Sequence, residues 1–234
     1  MKMRMLTALL ALVCLLCACG YSPRETAPTA AETAPETTAA QTLPPETEPV
    51  PEPEPEEFVR VLDYIPTAQQ ELMYATNRNF TGQRIYNFSD AYLRYGTVKK
   101  LAAVSDDLAQ LGLSLKIWDG FRPVSAPYRL WEICPDPTYV ANPTKGFSSH
   151  SRGNTVDLTL VDTSGAELEM PTGFDDFSAK ADRNYADCTE TAAAHAQLLE
   201  VLMEKHGFSG YFGEWWHFTD TDDYPVEERF SPPE

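Results

Sequence analysis

Positive charge, histidine and long apolar runs are all scarce in this 234-residue chain. Lys and Arg number 18 against 35 Asp and Glu, a formal charge of −17. So acidic a surface repels phosphates, which argues against nucleic acid as a partner and against electrostatic adhesion to anionic lipid. The four histidines form no tract, which argues against a metal carrier. No internal repeat occurs. The one sustained apolar run, Met5 to Leu16, comes after Lys2 and Arg4. It is too short for a permanent transmembrane helix and suits the hydrophobic segment of an export signal.

The residues after that run set the expected layout. Leu16-Cys17-Ala18-Cys19 resembles a bacterial lipoprotein processing box, with Cys19 as the lipid-bearing N-terminus of the mature chain. An ordinary signal peptide cut near Ala18 is the alternative. Residues 1–19 are thus expected to be leader and lipobox. Residues 20–57 hold 9 of the 19 prolines and 9 of the 35 acidic residues, with almost no large apolar group. Such a segment buries too little surface to offset its ordering entropy, and is expected to be a disordered tether. Residues 58–234 suit one catalytic domain with one core. The expected location is the outer face of the cytoplasmic membrane, with the lipid as the only membrane attachment. Outside the leader only Cys134 and Cys188 remain, and in an oxidising compartment they are a possible disulfide; two separate thiols are the alternative.

Within the domain, Phe58 to Ile65 alternates enough for an edge strand. Val98, Leu101, Val104, Leu108 and Leu111 recur at helical spacing, predicting a helix over 97–111 stopped by Gly112. Strands are predicted over 113–119, 155–161 and 215–220. A helix is predicted from Pro123 toward Cys134. Another is predicted over 189–206, burying Ala193, Leu198, Leu199 and Leu202, with Gly207 as its cap. The expected class is α+β: a single compact domain with a small antiparallel sheet carrying the metal site.

"SSHSRGNTVDLTL" (148–160) and "GEWWHF" (213–218) carry the chemistry. His150, Asp157 and His217 offer two imidazoles and a carboxylate, leaving the fourth position of a tetrahedral zinc open, as catalytic sites do. Glu214 is the candidate general base. Three residues apart on an extended strand, Glu214 and His217 would point to opposite faces unless a bulge intervenes. Arg122, at a turn after a predicted strand, is the candidate group for a developing oxyanion. His195 and His206 read as ordinary helical residues, the latter favourable in a last turn.

Together these blocks resemble the zinc-dependent D-alanyl-D-alanine dipeptidases associated with vancomycin resistance, relatives of D,D-carboxypeptidases. The likeness runs in order through "YATNRNFTG" (74–82), "IWDGFRP" (117–123), "SSHSRGNTVDLTL", "FDDF" (174–177), "GF" (207–208) and "EWWHF". It implies one zinc per domain on His150, Asp157 and His217, with Glu214 as base and Arg122 on the tetrahedral intermediate. It further implies that Ser148 holds substrate, that Asp175 or its neighbour Asp176 meets the free amino group, and that Tyr74 lines the pocket. Thr155 stands where the family usually has alanine. The implied activity is hydrolysis of D-alanyl-D-alanine or a similar D,D-dipeptide by activated water. Alternatives are a D,D-carboxypeptidase trimming peptidoglycan stem peptides, and a non-catalytic zinc- or wall-binding lipoprotein.

Overall fold

A computed structural model describes residues 51–234. The leader, Cys19 and the tether as far as residue 50 lie outside the described residues. From the N-terminal side the elements are β1 (Phe58–Arg60), α1 (Val61–Tyr64), β2 (Gln69–Gln70), β3 (Tyr92–Arg94) and α2 (Tyr95–Ala109). Then come β4 (Leu113–Asp119), α3 (Ser125–Ile133), β5 (Thr155–Asp162), α4 (Glu190–Lys205), β6 (Phe208–Tyr211) and β7 (Glu214–Asp220). The hydrogen-bonded chain reaches back into the tether's last residues, where the Pro55 and Glu57 carbonyls accept from Gly96 and Tyr95 N–H groups.

Local patterning accounts for most of these elements. In α2, Val98, Leu101, Val104 and Leu108 are fully buried, and Gly112 at φ 70° supplies the left-handed turn into β4. Thr189 caps α4 by accepting from the Ala192 N–H at 3.0 Å. The buried stripe of α4 is Ala192, Ala196, Leu199 and Met203, rotated from the expected one; Ala193, Leu198 and Leu202 pack at its margin. The expected strand from Phe58 lasts three residues, because the Val61 N–H turns to the Ala91 carbonyl and the Ile65 N–H to Val61, closing one helical turn.

The architecture is α+β with two sheets. β1 and β3 form a two-stranded antiparallel sheet, and a five-stranded sheet has the order β2-β4-β5-β7-β6, antiparallel apart from the β2–β4 pair. The candidate metal ligands sit on or beside this larger mixed sheet, not the small antiparallel one. Its central strands alone bring distant segments into one row. β5 is buried along nearly its whole length, since α2 and α4 pack on the sheet and on each other, while loops cover the remainder.

Candidate metal centre and active site

Strand register builds one wall of the site. Asp119 on β4 pairs with Asp157 on β5, and Asp157 pairs with His217 on β7, so three residues far apart in sequence stand in one row. His150 arrives from a 3-10 turn, Ser149–Arg152, that immediately precedes β5. Gly153 ends that turn at φ 77°, and a Cβ there would collide with the Phe58 ring, so glycine is required. His150 Nδ1 lies 2.9 Å from the Gly120 carbonyl and donates to it, leaving Nε2 as a lone pair facing inward.

These donors converge. His150 Nε2 is 3.3 Å from His217 Nδ1 and 3.4 Å from Asp157 Oδ2, and His217 Nδ1 is 3.0 Å from Asp157 Oδ1. Among the described residues they form a cluster whose ligand atoms all lie within 4.8 Å of one another. Asp157 Oδ1 is buried and makes no hydrogen bond, although His217 Nδ1 stands 3.0 Å away. Ligands about 2.0–2.2 Å from a tetrahedral zinc stand about 3.3 Å apart, so the spacing and the orphaned oxygen both fit the ion. Burial would raise the Asp157 carboxyl, but the neighbouring imidazoles outweigh it and hold the group well below the usual carboxylate range, keeping it ionised.

The bulge that the sequence required is present and large. Gly210 pairs with Phe218, but Tyr211 then pairs with Glu214 where an unbroken ladder would bring it to His217. Trp215, Trp216 and His217 are therefore extra residues on β7, and Glu214 comes within 3.6 Å of His217. Both tryptophans are fully buried, Trp215 edge-on to Trp118. At about 25 cal/mol per Å² and roughly 150–250 Å² each, two indoles offset the ladder bonds that the bulge forfeits. Burial first, then the Asp157 charge, raises the Glu214 carboxyl above its ordinary range, toward what a neutral-pH base needs.

Loops form the opposite wall. Tyr74 OH donates to Asp175 Oδ1 at 3.2 Å, and the Arg122 guanidinium lies 4.9 Å from the Tyr74 ring centre. Asp175 Oδ2 is buried with no partner. Burial pushes the Asp175 carboxyl up to about 7. Asp176 instead accepts from the Ser178 N–H and lines a neighbouring cavity, so Asp175 is the carboxyl that faces the centre. A cavity of about 260 Å³ is lined by Tyr74, Arg122, Ser148, His150, Asp157, Asp175, Glu214 and His217. Every site residue singled out in the domain, apart from the cysteine pair, thus meets in one place, which is small even for a drug-sized ligand.

Two participants were not singled out from the sequence. Asp119, fully buried, accepts from Arg122 Nη2 at 2.7 Å and Nε at 3.1 Å, and from the Tyr86 hydroxyl at 3.1 Å. It fixes the guanidinium, and its place within "IWDGFRP" was the available signal. Ser149 Oγ lies 3.5 Å from His217 Nε2. Thr155 spends its hydroxyl on Thr219, 3.0 Å away across β5 and β7. Of the two readings of the cysteine pair, the structure has the separate thiols: Cys134 and Cys188 are not bonded to each other. Cys134 ends α3 beside a cavity with Phe80 and Tyr139, whereas Cys188 leads into α4 with its thiol 3.5 Å from the Tyr185 carbonyl, so each packs in its own surroundings. His195 and His206 bond to the Glu169 carbonyl and to Asp107, as ordinary helical residues.

The Peptidase_M15 family, described as D-ala-D-ala dipeptidase, matches residues 54–232. The D-alanyl-D-alanine dipeptidase of Escherichia coli is 40% identical over 163 residues, covering 69% of this chain and 83% of that protein. The D-alanyl-D-alanine dipeptidase of Enterococcus faecalis is 33% identical over 65% of this chain and 86% of its own length. A solved structure of the vancomycin resistance D,D-pentapeptidase VanY in complex with Zn(II) matches at 15% identity and a TM-score of 0.38, over 56% of this chain and 74% of that one. Residues 54–232 hold the whole of the cavity just described, and by that match the chain belongs to the Peptidase_M15 family of D-ala-D-ala dipeptidases, a family of zinc metallopeptidases.

Proposed function

We propose that this chain is a zinc-dependent D,D-dipeptidase that hydrolyses D-alanyl-D-alanine or a close analogue. The observation that carries this reading is the buried, half-unsatisfied Asp175 carboxyl facing the His150, Asp157 and His217 cluster across one small cavity. A free ammonium at that oxygen makes a charge-assisted bond that an internal amide nitrogen of a longer peptide does not make.

When bound, zinc would lower the pKa of a water and polarise the scissile carbonyl. His150, Asp157 and His217 would hold it, with the Gly120 carbonyl orienting His150. Glu214 takes the proton from the attacking water and returns it to the leaving amine. Arg122, tethered by Asp119, faces the negative charge that develops on the carbonyl oxygen. Tyr74 orients Asp175 for the substrate's amino end, and Ser148, at the mouth of the 3-10 turn, contacts the substrate.

The test is a product analysis of purified protein with zinc, offered free D-alanyl-D-alanine and a pentapeptide ending in D-alanyl-D-alanine. Cleavage of the dipeptide with the pentapeptide intact is the expected outcome. Preferential release of terminal D-alanine from the pentapeptide would transfer the chain to the carboxypeptidases. We further propose that lipid on Cys19 anchors the enzyme outside the cytoplasmic membrane. Cys19→Ala should then release the protein into the soluble fraction, and unchanged membrane retention would refute the anchor.

A further inference from the structure

The bulge in β7 raises the question of what keeps it from closing into a regular ladder. Its three additional residues leave carbonyl groups with no strand partner in a buried place, where an unsatisfied acceptor is costly. Arg183, only 6% exposed at its side chain, answers those of Trp215 and His217. Its Nε donates to the Tyr211 carbonyl at 2.9 Å, and its Nη2 lies 3.0 Å from both the Trp215 and the His217 carbonyl. The Arg183 backbone N–H donates to the Phe212 carbonyl at 2.9 Å, so this residue grips both strands and the hairpin between them.

The grip is itself anchored. The guanidinium lies over the Phe218 ring at 4.3 Å, and Nη1 is 3.2 Å from Glu200 on α4. Glu200 in turn accepts from the Tyr185 hydroxyl at 2.8 Å. Tyr185 sits at φ 56°, a left-handed conformation that a tyrosine adopts only when its surroundings impose it. Gly210 completes the arrangement, because a Cβ there would overlap the guanidinium.

We propose that Arg183 is a positioning residue for hydrolysis: its planar fork replaces the missing ladder bonds and so holds Glu214 and His217 on the same side of β7. Lysine, a single point donor on a flexible stem, reproduces part of that fork at most. The proposal rests on the dipeptidase reading for its kinetic arm, while its metal arm stands without it.

The experiment compares the full chain with Arg183→Met, Arg183→Lys and Gly210→Ala, each loaded with cobalt(II) in place of zinc. Arg183→Met should lower kcat about 10²-fold with KM for D-alanyl-D-alanine within about threefold, since the Asp175 wall is untouched. Its cobalt absorption bands should shift as His217 moves. Arg183→Lys should recover part of kcat. Gly210→Ala, which displaces the guanidinium without removing its charge, should fall between the parent and Arg183→Met. Parental kcat and cobalt spectrum in Arg183→Met would overturn the proposal, as would a kcat loss matched by an equal loss of folded protein. Where Arg183→Met does not fold, the lysine and Gly210→Ala variants decide by the same two readouts. A parent that cleaves no D,D-peptide would defeat the dipeptidase reading alone, because the cobalt spectra still report whether Arg183 places His217.

Discussion

The two walls of the cavity are built differently. The metal-facing wall is set by strand register: Asp157 and His217 line the cavity from paired strands with Asp119 behind them in the same row, and the turn just before β5 adds His150. The substrate-facing wall comes from a 3-10 turn carrying Tyr74 and a loop in which Asp175 adopts φ 57°. Strand pairing places a residue to within a fraction of an ångström at little cost, because the ladder satisfies most backbone groups and Arg183 takes up the Trp215 and His217 carbonyls that the β7 bulge leaves over. The loop wall has no such support. It holds a carboxyl in a buried, strained and half-unsatisfied state, which costs stability and gives a site prepared for a cation.

The largest effect should come from the one residue that stands on the sheet yet depends on its irregularity. Glu214→Gln preserves shape and removes the base, so kcat should fall about 10²–10⁴-fold while bound zinc per chain stays at the parent value. Loss of zinc in parallel would mean that the two walls share Glu214 as a ligand. Asp119→Asn tests the hinge between the walls. It leaves the Arg122 guanidinium beside a neutral amide, and kcat should fall roughly 10²–10³-fold with zinc retained. Thermal unfolding should show a loss of about 3–5 kcal/mol for an uncompensated buried cation. A variant as stable and as active as the parent would show that Tyr86 and Tyr74 suffice to hold Arg122.

Asp175→Asn sharpens the contrast through its sign. Burial raises this carboxyl to about 7, so the folded state binds its proton more tightly than the unfolded chain does. That stabilisation is complete below the unfolded value near 4 and disappears as pH rises to about 7. Above pH 7 the amide variant should therefore be the more stable protein, by at most about 4 kcal/mol, and below pH 4 the two should melt alike. Its KM should rise about 10–100-fold, and any acid limb near 7 in kcat/KM should vanish. A melting temperature at pH 8 below the parent's would mean that Asp175 is structural.

The same contrast explains what the sequence disclosed. Ligand types at usable spacings, a β-branched run after a Gly-closed turn and the helical period of α2 are local features and were legible, although α2 runs two residues early and leaves Leu111 exposed beyond its end. The β7 bulge depends on Arg183, about thirty residues away, and no local period encodes such a partner. Asp119 drew no assignment because Tyr86 and Arg122 meet it only after folding. The choice of Asp175 over Asp176 turns on one left-handed residue in a loop. The stripe of α4 is rotated because Ala192, Ala196 and Met203 join Leu199 in facing the interior, while Leu198 and Leu202 stand at its margin.

The smallest effect tests whether the ladder wall is as tolerant as its construction implies. Thr155 lies two residues from Asp157 and therefore on the same side of β5, yet its hydroxyl is taken by Thr219 and not by the cavity. Thr155→Ala deletes one side-chain hydrogen bond between β5 and β7 and leaves the backbone ladder intact. The cost should be about 0.5–1.5 kcal/mol in thermal or urea unfolding, with kcat/KM within about twofold. If the register alone positions Asp157 and His217, activity is indifferent to that bond. A tenfold fall in kcat or in zinc affinity would instead show that the threonine pair helps hold the row, and the ladder would then be no more self-sufficient than the loops it faces.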